Sequence, residues 1–193
     1  FVLTPNVAIN NMFCYSGKQF FLFQNLREND TRYAPMDPRP VAYSAINNQS
    51  YLLFPGDLNS KNTAFGGRVL EIADRLAATV AQIHSGRACV TLLLDSVEFL
   101  GPATQGEVLI FKAAINRVWK TSMEVGVKVL AKNPKTGDER HVVSAYFTFV
   151  GINELRTPVA VPPVVPETED EKRRFAAADA RRQERLARYG RSK

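Results

Sequence analysis

The stretch FGGRVLEIADRLAATVAQI, residues 65–83, decides the fold that this sequence predicts. Its apolar residues recur at spacings of three and four, which is typical of one amphipathic helix. The pattern ends at Ser85 and Gly86, and a glycine just past the last apolar position commonly ends a helix. We expect a single long helix entered through residues 62–67. Its apolar positions are Phe65, Val69, Ile72, Leu76, Val80 and Ile83.

Strand-like segments lie on both sides of this helix. Residues 41–54 contain β-branched and aromatic residues and end at the turn Pro55-Gly56. After the helix, further strand patterns alternate with turns at 101–102 and 133–137. One helix therefore has to cover a sheet of five or more mostly antiparallel strands, which is an α+β layer. The strand patterns after the helix cover residues 88–94, 107–118, 121–131 and 141–152.

The start of the chain differs from this body. Residues 1–40 hold five of the twelve phenylalanines without clear periodicity, and they finish in Pro35, Pro38 and Pro40, which are typical of a linker. We predict a globular domain over residues 41–155, preceded over 1–40 by an arm or leader of unknown role. An arm packed on the body and a weakly amphipathic organellar leader both stay open, because acidic residues are scarce here.

A second proline-rich segment begins after the last predicted strand. Residues 156–193 contain a Pro-rich linker and then a capping box, with Thr168 at the cap and Glu171 three residues later. We expect a C-terminal helix from 169 to about 189. Nine basic and six acidic residues between 166 and 193 make this segment basic, and its apolar residues are sparse. Such a helix is marginal alone, so it must lean on the body.

Composition limits the possible classes of protein. The chain has 193 residues, 45% hydrophobic and 23% charged, which is typical of a globular protein. No apolar run reaches the length of a membrane span, so we predict no integral membrane segment. The two cysteines make neither a disulfide framework nor a metal-ligand spacing, which favours a reducing compartment. The net charge of +6 suggests a polyanionic partner: nucleic acid, a membrane surface or a phosphorylated ligand.

The sequence contains no phosphate-binding loop, dinucleotide fingerprint or zinc spacing. We predict no metal, and structural roles for His84 and His141. Asp74 is the exception, because on a helical wheel it shares a small, apolar face of the predicted helix. A carboxylate there is costly to bury unless it is paired or used. Asp74 therefore either forms a salt bridge at the rim, with Arg68 or Arg75, or performs chemistry.

The start of the predicted helix provides a second feature that suits catalysis, a set of free backbone N–H groups. Backbone N–H groups around Gly66 and Gly67 lack partners inside the helix, and glycines let a ligand approach them closely. Donors at a helix N-terminus, with a carboxylate two turns along, suit acyl transfer. The amides would hold a developing oxyanion while Asp74 activates water.

The sequence around these residues resembles the hotdog-fold acyl-CoA thioesterase (acyl-CoA hydrolase) family. The run from Asp57 to Asp74, DLNSKNTAFGGRVLEIAD, is similar to the central-helix signature of that family. The resemblance covers about residues 45–185 and continues in order through further motifs. These are Val90-Thr91, residues 95–100, Gly106-Glu107, residues 120–125, residues 146–150 and the tail from Val161 to Arg174.

The resemblance implies a hotdog fold, with a long central helix wrapped by a curved antiparallel sheet, and a C-terminal helix. It also implies a homodimer whose two sheets are continuous, commonly assembled into a trimer of dimers, with active sites at the dimer interface. By motif position Asp74 is the catalytic acid, as general base or nucleophile. Asn59 positions the thioester or water from across the interface, and Thr91 lines the same cleft. The amide of Gly67, or of its neighbour Gly66, is the implied oxyanion donor.

The substrate that the resemblance implies is a fatty acyl-CoA, hydrolysed to free acid and coenzyme A without a separate cofactor. Coenzyme A is a phosphorylated anion, which gives the net positive charge a concrete partner. Lys120, Thr121 and Ser122 offer an ammonium and two hydroxyls, groups that suit phosphate. Arg173 and Arg174 on the C-terminal helix either add to this site or are solvated surface residues.

Some positions depart from the family pattern. Asn62 and Trp119 stand where glycine is frequent, and Lys120 stands where arginine is frequent. Arg75 replaces an acidic residue that often follows the catalytic aspartate. These departures do not change the predicted class of reaction, but they put the substrate preference in doubt.

Two rival functions compete with hydrolysis. A non-catalytic acyl-CoA binding or sensing module would use the same cleft, but a phosphorylated ligand gains nothing from a buried carboxylate at Asp74. A nucleic-acid binder would explain the charge, but the basic residues of the tail are interleaved with acidic ones, and Phe147 and Phe149 alternate like core residues. We therefore predict an acyl-CoA thioesterase without a nucleic-acid partner. The cytoplasm is its expected location, and the mitochondrial matrix is the alternative.

Overall fold

The computed structural model describes residues 36–190, so most of the predicted arm or leader lies outside the described residues. No helix in the described range is long and apolar enough to cross a bilayer. The elements follow in the order β1 (Arg39–Pro40), a 3-10 turn (Val41–Tyr43), β2 (Ile46–Leu52), a second 3-10 turn (Pro55–Asp57), the central helix (Gly66–Ser85), β3 (Ala88–Phe99), β4 (Val108–Val118), β5 (Ser122–Lys132), β6 (Glu139–Ile152), β7 (Val164–Val165) and the C-terminal helix (Glu169–Gly190).

Five antiparallel strands form the main sheet of the described residues, in the order β2-β4-β5-β6-β3. The successive strands β4, β5 and β6 are neighbours, as expected for hairpin connections. The strands before and after the central helix, β2 and β3, occupy the two edges. The predicted α+β layer, with one helix on a sheet of five antiparallel strands, is confirmed.

The first predicted strand is shorter than expected, and the second is longer. Val41–Tyr43 form a 3-10 turn, closed by the Ser44 N–H on the Val41 carbonyl, so β2 begins only at Ile46. β3 continues beyond residue 94 because it pairs with β6 as far as Phe99. Its register shifts between residues 91 and 93 and between 94 and 96. Such bulges interrupt the alternation by which a strand is recognised in sequence.

The apolar core lies between the central helix and one face of the sheet. Ala73, Ala77 and Ala81 lie one helical turn apart and are fully buried. These small side chains let the helix backbone approach the sheet closely. The sheet contributes alternate residues, because successive side chains of a strand point to opposite faces. On β5 the core residues are Met123, Val125, Val127, Val129 and Ala131.

The C-terminal helix packs on the opposite face of the sheet. Glu124 lies between two core residues of β5, so its side chain points away from the central helix, yet it is fully buried. Arg181 donates to the two carboxylate oxygens of Glu124 at 2.7 and 3.2 Å, and Asn116 donates to one of them at 2.9 Å. Arg185 pairs with Asp95 on β3. The helix thus leans on the sheet through ion pairs.

The predicted capping box opens this helix. Thr168 Oγ1 accepts from the Glu171 N–H at 3.2 Å, and Glu171 Oε2 accepts from the Thr168 N–H at 3.0 Å. The reciprocal pair satisfies two backbone donors that have no partner inside the helix. The predicted start of the C-terminal helix at residue 169 is confirmed.

The segment predicted as a Pro-rich linker lies against the sheet and the central helix. Its strand β7 pairs in parallel with β1, and Val159, Val161 and Val164 are buried. His84, near the end of the central helix, is fully buried and donates from Nε2 to the Pro162 carbonyl at 3.0 Å. Burial lowers the pKa of His84, which keeps the ring neutral at pH 7.

One ion pair fixes the loop between β3 and β4. Glu107 is buried, and its two carboxylate oxygens accept from Arg140 of β6 at 2.6 and 2.7 Å. The same carboxylate accepts from the N–H and the hydroxyl of Thr104, and Arg140 also donates to the Pro102 carbonyl. The Arg140 guanidinium lowers the pKa of Glu107 to about 2. The ion pair therefore holds the loop between β3 and β4, the start of β4 and the strand β6 together.

Replacing Glu107 by Gln should lower the free energy of unfolding at pH 7 by about 2 kcal/mol, since Arg140 loses its charged partner but is screened by solvent on one side. The folded protein keeps Glu107 ionised to lower pH than the unfolded chain does. The stability is therefore fully present above about pH 4.5 and is lost as the pH falls toward about 2.

Denaturant titrations across this pH range should show a smaller loss of stability in Glu107→Gln than in the wild type. The exposed residue Glu154, changed to Gln, is the matched control and should follow the wild type. Equal pH dependence in all three proteins would contradict the prediction.

Candidate active site

Asp74 lies where the central helix faces the start of β3. Its carboxylate is half-buried and accepts a hydrogen bond from the Thr91 hydroxyl at 2.9 Å. The register shift in β3 follows Thr91 directly, and bulges re-aim the side chains beside them. Two residues that the sequence analysis placed in one site are therefore in contact.

The alternative role of Asp74 as a rim salt bridge is wrong. Arg68 pairs with Asp57 at 3.2 Å and with Glu71 at 2.7 Å, and Arg75 pairs with Glu71 at 2.6 Å. Within residues 36–190 no cation forms an ion pair with Asp74. Its carboxylate is thus held by a neutral hydroxyl, and its second oxygen has no donor in the described part of the chain.

The N-terminus of the central helix presents backbone donors. Its first backbone bonds run from the N–H groups of Arg68 and Val69 to the Phe65 carbonyl. Phe65 is the N-cap residue, and its side chain accepts no hydrogen bond. The N–H groups of Gly66 and Gly67 therefore find no acceptor among the described residues. They form the positive end of the helix dipole, which attracts an anion.

Asn59 organises the loop that leads into this helix. Its Oδ1 accepts from the N–H groups of Lys61 and Thr63 at 2.9 and 3.3 Å, and its Nδ2 donates to the Thr63 hydroxyl at 2.8 Å. No hydrogen bond joins Asn59 to Asp74 within residues 36–190. A side-chain amide carries two N–H groups, so one donor of Asn59 stays available to a group outside this chain.

The backbone of Asn62 explains one departure from the family pattern. Its φ is 57°, in the left-handed region that favours glycine. Asparagine visits this region more readily than other residues with a side chain, because its short polar group bonds locally. Asn62 can therefore stand in place of a glycine without redirecting the loop.

The predicted phosphate-binding residues lie in the turn between β4 and β5. Lys120 is exposed, Ser122 is half-buried and Thr121 is buried. The Lys120 carbonyl accepts from the Val161 N–H, which ties this turn to the Pro-rich segment. The ammonium and the Ser122 hydroxyl are thus better placed to meet a ligand than the Thr121 hydroxyl.

Strand register brings this turn to the same end of the sheet as Thr91. Ser122 pairs with Val150, and Val150 pairs with Val90 on β3. Two strand spacings therefore separate Ser122 from Val90, a distance of about 10 Å. The predicted anion-binding turn and the contact between Thr91 and Asp74 are neighbours across the sheet.

Arg173 and Arg174 lie on the first turns of the C-terminal helix, and both pair with Asp170 one turn back. The Arg173 guanidinium donates to Asp170 at 2.6 Å, which lowers the pKa of that carboxyl. Both cations are exposed or half-buried. The ion pairs that the structure gives them within residues 36–190 are inside their own helix.

Two phenylalanines near the site were missed by the sequence analysis. The Phe99 ring lies against Gly66, where an added Cβ would be 3.0 Å from Cζ. The Phe65 ring lies against Gly67, where an added Cβ would be 2.6 Å from Cε1. Glycines here therefore let aromatic rings approach the helix, besides any role toward a ligand. The contact with Phe99 joins distant parts of the chain, so no local pattern signals it.

Arg182 was also missed. Its Cζ lies 4.4 Å from the centre of the Trp119 ring, and within residues 36–190 no carboxylate forms an ion pair with it. Burial, together with the charges of Arg185 and Arg117, lowers the pKa of its guanidinium. Within residues 36–190 the nearby carboxylate of Asp179 raises this pKa but forms no ion pair with Arg182, which lies beside the turn that carries Lys120. Trp119 stands where glycine is frequent in the family, and this departure was the sequence feature that could have indicated an aromatic contact here.

Comparison with known proteins gives one family. The model of the thioesterase superfamily matches residues 61–137. A protein of Bacillus subtilis (strain 168), named uncharacterized acyl-CoA thioester hydrolase YkhA, is 40% identical over 119 residues, which is 62% of this chain and 69% of that protein.

Solved structures have a similar fold. An apo-hexameric acyl-CoA thioesterase superposes with a TM-score of 0.77 at 38% identity, covering 79% of this chain and 97% of that one. The acyl-CoA hydrolase of Staphylococcus aureus, solved with butyryl coenzyme A, coenzyme A and coenzyme A disulfide, gives a TM-score of 0.75 at 32% identity, covering 80% and 93%. That enzyme has also been solved with an asparagine, an aspartate or a threonine replaced by alanine.

Proposed function

This chain belongs to the acyl-CoA thioesterases of the thioesterase superfamily, and from that premise we propose that Asp74 drives its hydrolysis of a fatty acyl-CoA. The predicted family and its hotdog fold are confirmed. The products of the proposed reaction are the free fatty acid and coenzyme A. The observation that carries the proposal is the half-buried carboxylate of Asp74, held by the Thr91 hydroxyl and without a cation partner in the described chain.

The alanine variants of the Staphylococcus aureus enzyme support this choice of residues. The replaced asparagine, aspartate and threonine follow one another at intervals of 15 and 17 residues. Asn59, Asp74 and Thr91 follow one another at the same intervals. Three residue types that agree in order and spacing favour one shared set of site residues.

In the proposed reaction Asp74 acts as a general base toward water. Its carboxylate takes a proton from the water whose oxygen adds to the thioester carbonyl carbon. The carbonyl oxygen becomes an oxyanion, which the N–H groups of Gly66 and Gly67 stabilise. The C–S bond then breaks, and the proton held by Asp74 passes to the thiolate of coenzyme A. In the alternative, Asp74 attacks the carbonyl carbon itself, the C–S bond breaks to release the thiolate of coenzyme A, and water then hydrolyses the resulting anhydride to the fatty acid and the Asp74 carboxylate.

Replacing Asp74 by Asn should lower kcat for acyl-CoA hydrolysis by about 100-fold or more, because the amide keeps the shape and removes the base. Glu71→Gln makes the same chemical change on the exposed face of the same helix and should stay near wild-type activity. Turnover is measured with a thiol reagent, and assembly is checked by light scattering. A correctly assembled Asp74→Asn protein with near-normal turnover would overturn the mechanism.

A second copy of the chain completes the proposed site by pairing along β3. Within the described residues β3 has one neighbour, β6, and its other edge is open over 12 residues. Val90, Leu94 and Phe99 on this strand are 41%, 37% and 54% exposed. The opposite edge strand, β2, has only seven residues and exposes the polar residues 47–50, with Leu52 at its end 44% exposed. A long apolar edge favours strand pairing, which makes β3 the dimer edge.

This dimer would bring Asn59 of one subunit to Asp74 of the other. The two residues form no hydrogen bond within one chain, and Asn59 keeps one amide N–H available. Three such dimers would give a hexamer, the state named for one similar structure. The Asn59 amide would then position the thioester or the water across the interface.

Mixing two inactive variants should restore activity. Asn59→Ser keeps a side-chain oxygen for the loop and removes the amide, whereas Asp74→Asn removes the base. After subunit exchange, a mixed dimer has one site with both defects and one with neither. Random exchange makes half of the dimers mixed, so activity should reach about one quarter of the wild type if sites are independent. Failure to recover, with exchange shown by mass spectrometry, would mean that both residues act within one chain.

We propose that Lys120 and Ser122 bind the phosphates of coenzyme A, with Thr121 supporting the turn. Arg182 lies on Trp119 beside this turn and has no ion-pair partner among the described residues, so it fits the same anion. Arg173 and Arg174 would join only after they release Asp170. The turn lies about 10 Å across the sheet from Val90, a separation that the extended coenzyme can span.

Lys120→Ala and Arg182→Ala should each raise KM for acyl-CoA by about tenfold, which corresponds to loss of one charged hydrogen bond. Neither change should alter hydrolysis of the matching acyl-pantetheine, which lacks the nucleotide phosphates. Lys135→Ala, in the exposed turn between β5 and β6, is the control. An equal loss on both substrates would assign these residues to the fold rather than to coenzyme A.

A further inference from the structure

Asp57 is a buried carboxylate that the proposed mechanism does not use. It lies at the corner where the chain leaves β2 for the central helix, and it is 7% exposed. Its Oδ1 accepts from the Tyr51 hydroxyl at 2.9 Å and from Arg68 Nε at 3.2 Å, and its Oδ2 accepts from the Phe54 N–H at 2.9 Å. Burial alone raises the pKa of Asp57, but these three donors together lower it below its usual value. The carboxylate is therefore ionised at pH 7 and held by three parts of the chain.

Two links join Asp57 to the first turn of the central helix. The Asp57 carbonyl accepts from the N–H of Phe65, the N-cap residue, at 2.8 Å. The Asp57 carboxylate accepts from Arg68, three residues further along the chain. The N–H groups of Gly66 and Gly67 lie between these two held residues. Their direction is therefore fixed by Asp57, from outside the helix.

The helix start has no side-chain cap, which explains why an outside anchor is needed. A serine, threonine or aspartate at the N-cap stabilises a helix by accepting from one of its first N–H groups. Phe65 occupies this position, and its side chain accepts no hydrogen bond. The N–H groups of Gly66 and Gly67 have no acceptor among the described residues and can meet a ligand, but the helix start loses an anchor. Asp57 replaces that anchor without occupying either N–H group.

The loop that carries Asn59 is closed by the same residue. Asn59 follows Asp57 by two positions, and its N–H donates to the Thr63 carbonyl at 2.8 Å. The bond from the Phe65 N–H to the Asp57 carbonyl joins the two ends of this loop. The loop and the helix start therefore keep one relative position as long as Asp57 holds both.

We propose that Asp57 is a positioning residue for hydrolysis, whose carboxylate aims the first two N–H groups of the central helix at the thioester carbonyl oxygen. These are the N–H groups of Gly66 and Gly67, to which the proposed function assigns the oxyanion. The inference rests on that proposed function. Asp57 acts only through the helix start, without contact to the substrate, and Asp74 remains the base.

Asp57→Asn keeps the size of the side chain but places an amide NH2 against the Phe54 N–H or the Arg68 guanidinium, where only donors meet it. For octanoyl-CoA, kcat should fall by about 30-fold with KM within about twofold, because misdirecting an oxyanion donor costs less than the roughly 100-fold lost with a donor outright. Asp95→Asn is the matched control. Asp95 is half-buried and pairs with Arg185 under the C-terminal helix, so its replacement should lower stability and leave kcat near that of the wild type.

A vibrational spectrum separates positioning from stability. The probe is the ketone analogue of octanoyl-CoA, in which a methylene replaces the thioester sulfur and the carbonyl carbon is isotope-labelled. In the wild type, hydrogen bonds from the helix start should lower the carbonyl stretching frequency of the bound analogue below its value in water. In Asp57→Asn the band should move back toward the value in water, because the two donors no longer point at the oxygen. A purely structural role would reduce the intensity of the band without moving it.

Tyr51→Phe removes one donor from the carboxylate and leaves its ion pair with Arg68, so it should change kcat and the band in the same direction by a smaller amount. If Asp57→Asn does not assemble, Tyr51→Phe decides the question. An assembled variant whose band stays at the wild-type position would overturn the inference, even with a lower kcat, as would a wild type whose band stays at its value in water. A folded, assembled wild type that hydrolyses no acyl-CoA would instead overturn the proposed function.

Discussion

The stripe of Ala73, Ala77 and Ala81 is the constraint on which the rest of this structure depends. Three small, fully buried side chains bring the central helix close to the sheet and fix its rotation. With that rotation fixed, the residue after Ala73 falls at the margin of the buried face. Asp74 is therefore held where the Thr91 hydroxyl can reach it and where water can still enter. A larger side chain in the stripe would move the carboxylate as well as the core.

The two faces of the sheet are stabilised by different interactions, apolar packing on one and ion pairs on the other. The face toward the central helix is apolar, whereas the opposite face buries Glu124 under the C-terminal helix. Two donors from Arg181 and one from Asn116 satisfy that carboxylate, and the Arg181 guanidinium also stacks on the Tyr146 ring, with Cζ 3.8 Å from its centre. A buried ion pair adds little net stability, but loss of one partner is costly. The position of the C-terminal helix is thus set mainly by the directional contacts of Arg181 with Glu124 and less by hydrophobic burial.

Local chemistry made part of the fold predictable from sequence. The period of the apolar residues located the central helix, and the pair Thr168 and Glu171 located the start of the C-terminal helix, because both signals lie within a few neighbouring residues. The position of Asp74 on its helix likewise follows from periodicity. The true length of β3 did not follow, because its two bulges break the alternation and its pairing with β6 replaces the missing signal.

Contacts between distant segments explain the remaining gaps. The Phe99 ring on Gly66, the Arg182 guanidinium on Trp119 and the pairing of β1 with β7 join residues far apart in sequence. Each contact depends on the tertiary packing of helices and strands, and a short stretch of sequence does not determine that packing. The same reason hid a cavity of about 390 Å³ beside the N-terminus of the central helix, whose wall combines that helix, β3, β4 and β6 with the loop after β3. Residue types at motif positions predicted the class of enzyme, which the family match confirms, but not the space around the proposed site.

The edge of β3 that has no neighbouring strand within residues 36–190 has a consequence for a newly synthesised chain. Among the described residues one edge of β3 has no neighbouring strand, and Val90, Leu94 and Phe99 are exposed on this strand, so its backbone groups can pair with a strand of another chain. Until a second chain covers that edge, as the proposed dimer would, the exposed strand is an aggregation hazard that grows with protein concentration. At a high rate of synthesis, native assembly therefore competes with aggregation, and both processes are second order in the concentration of free subunits. Slow expression at low temperature favours the first by keeping uncovered subunits scarce.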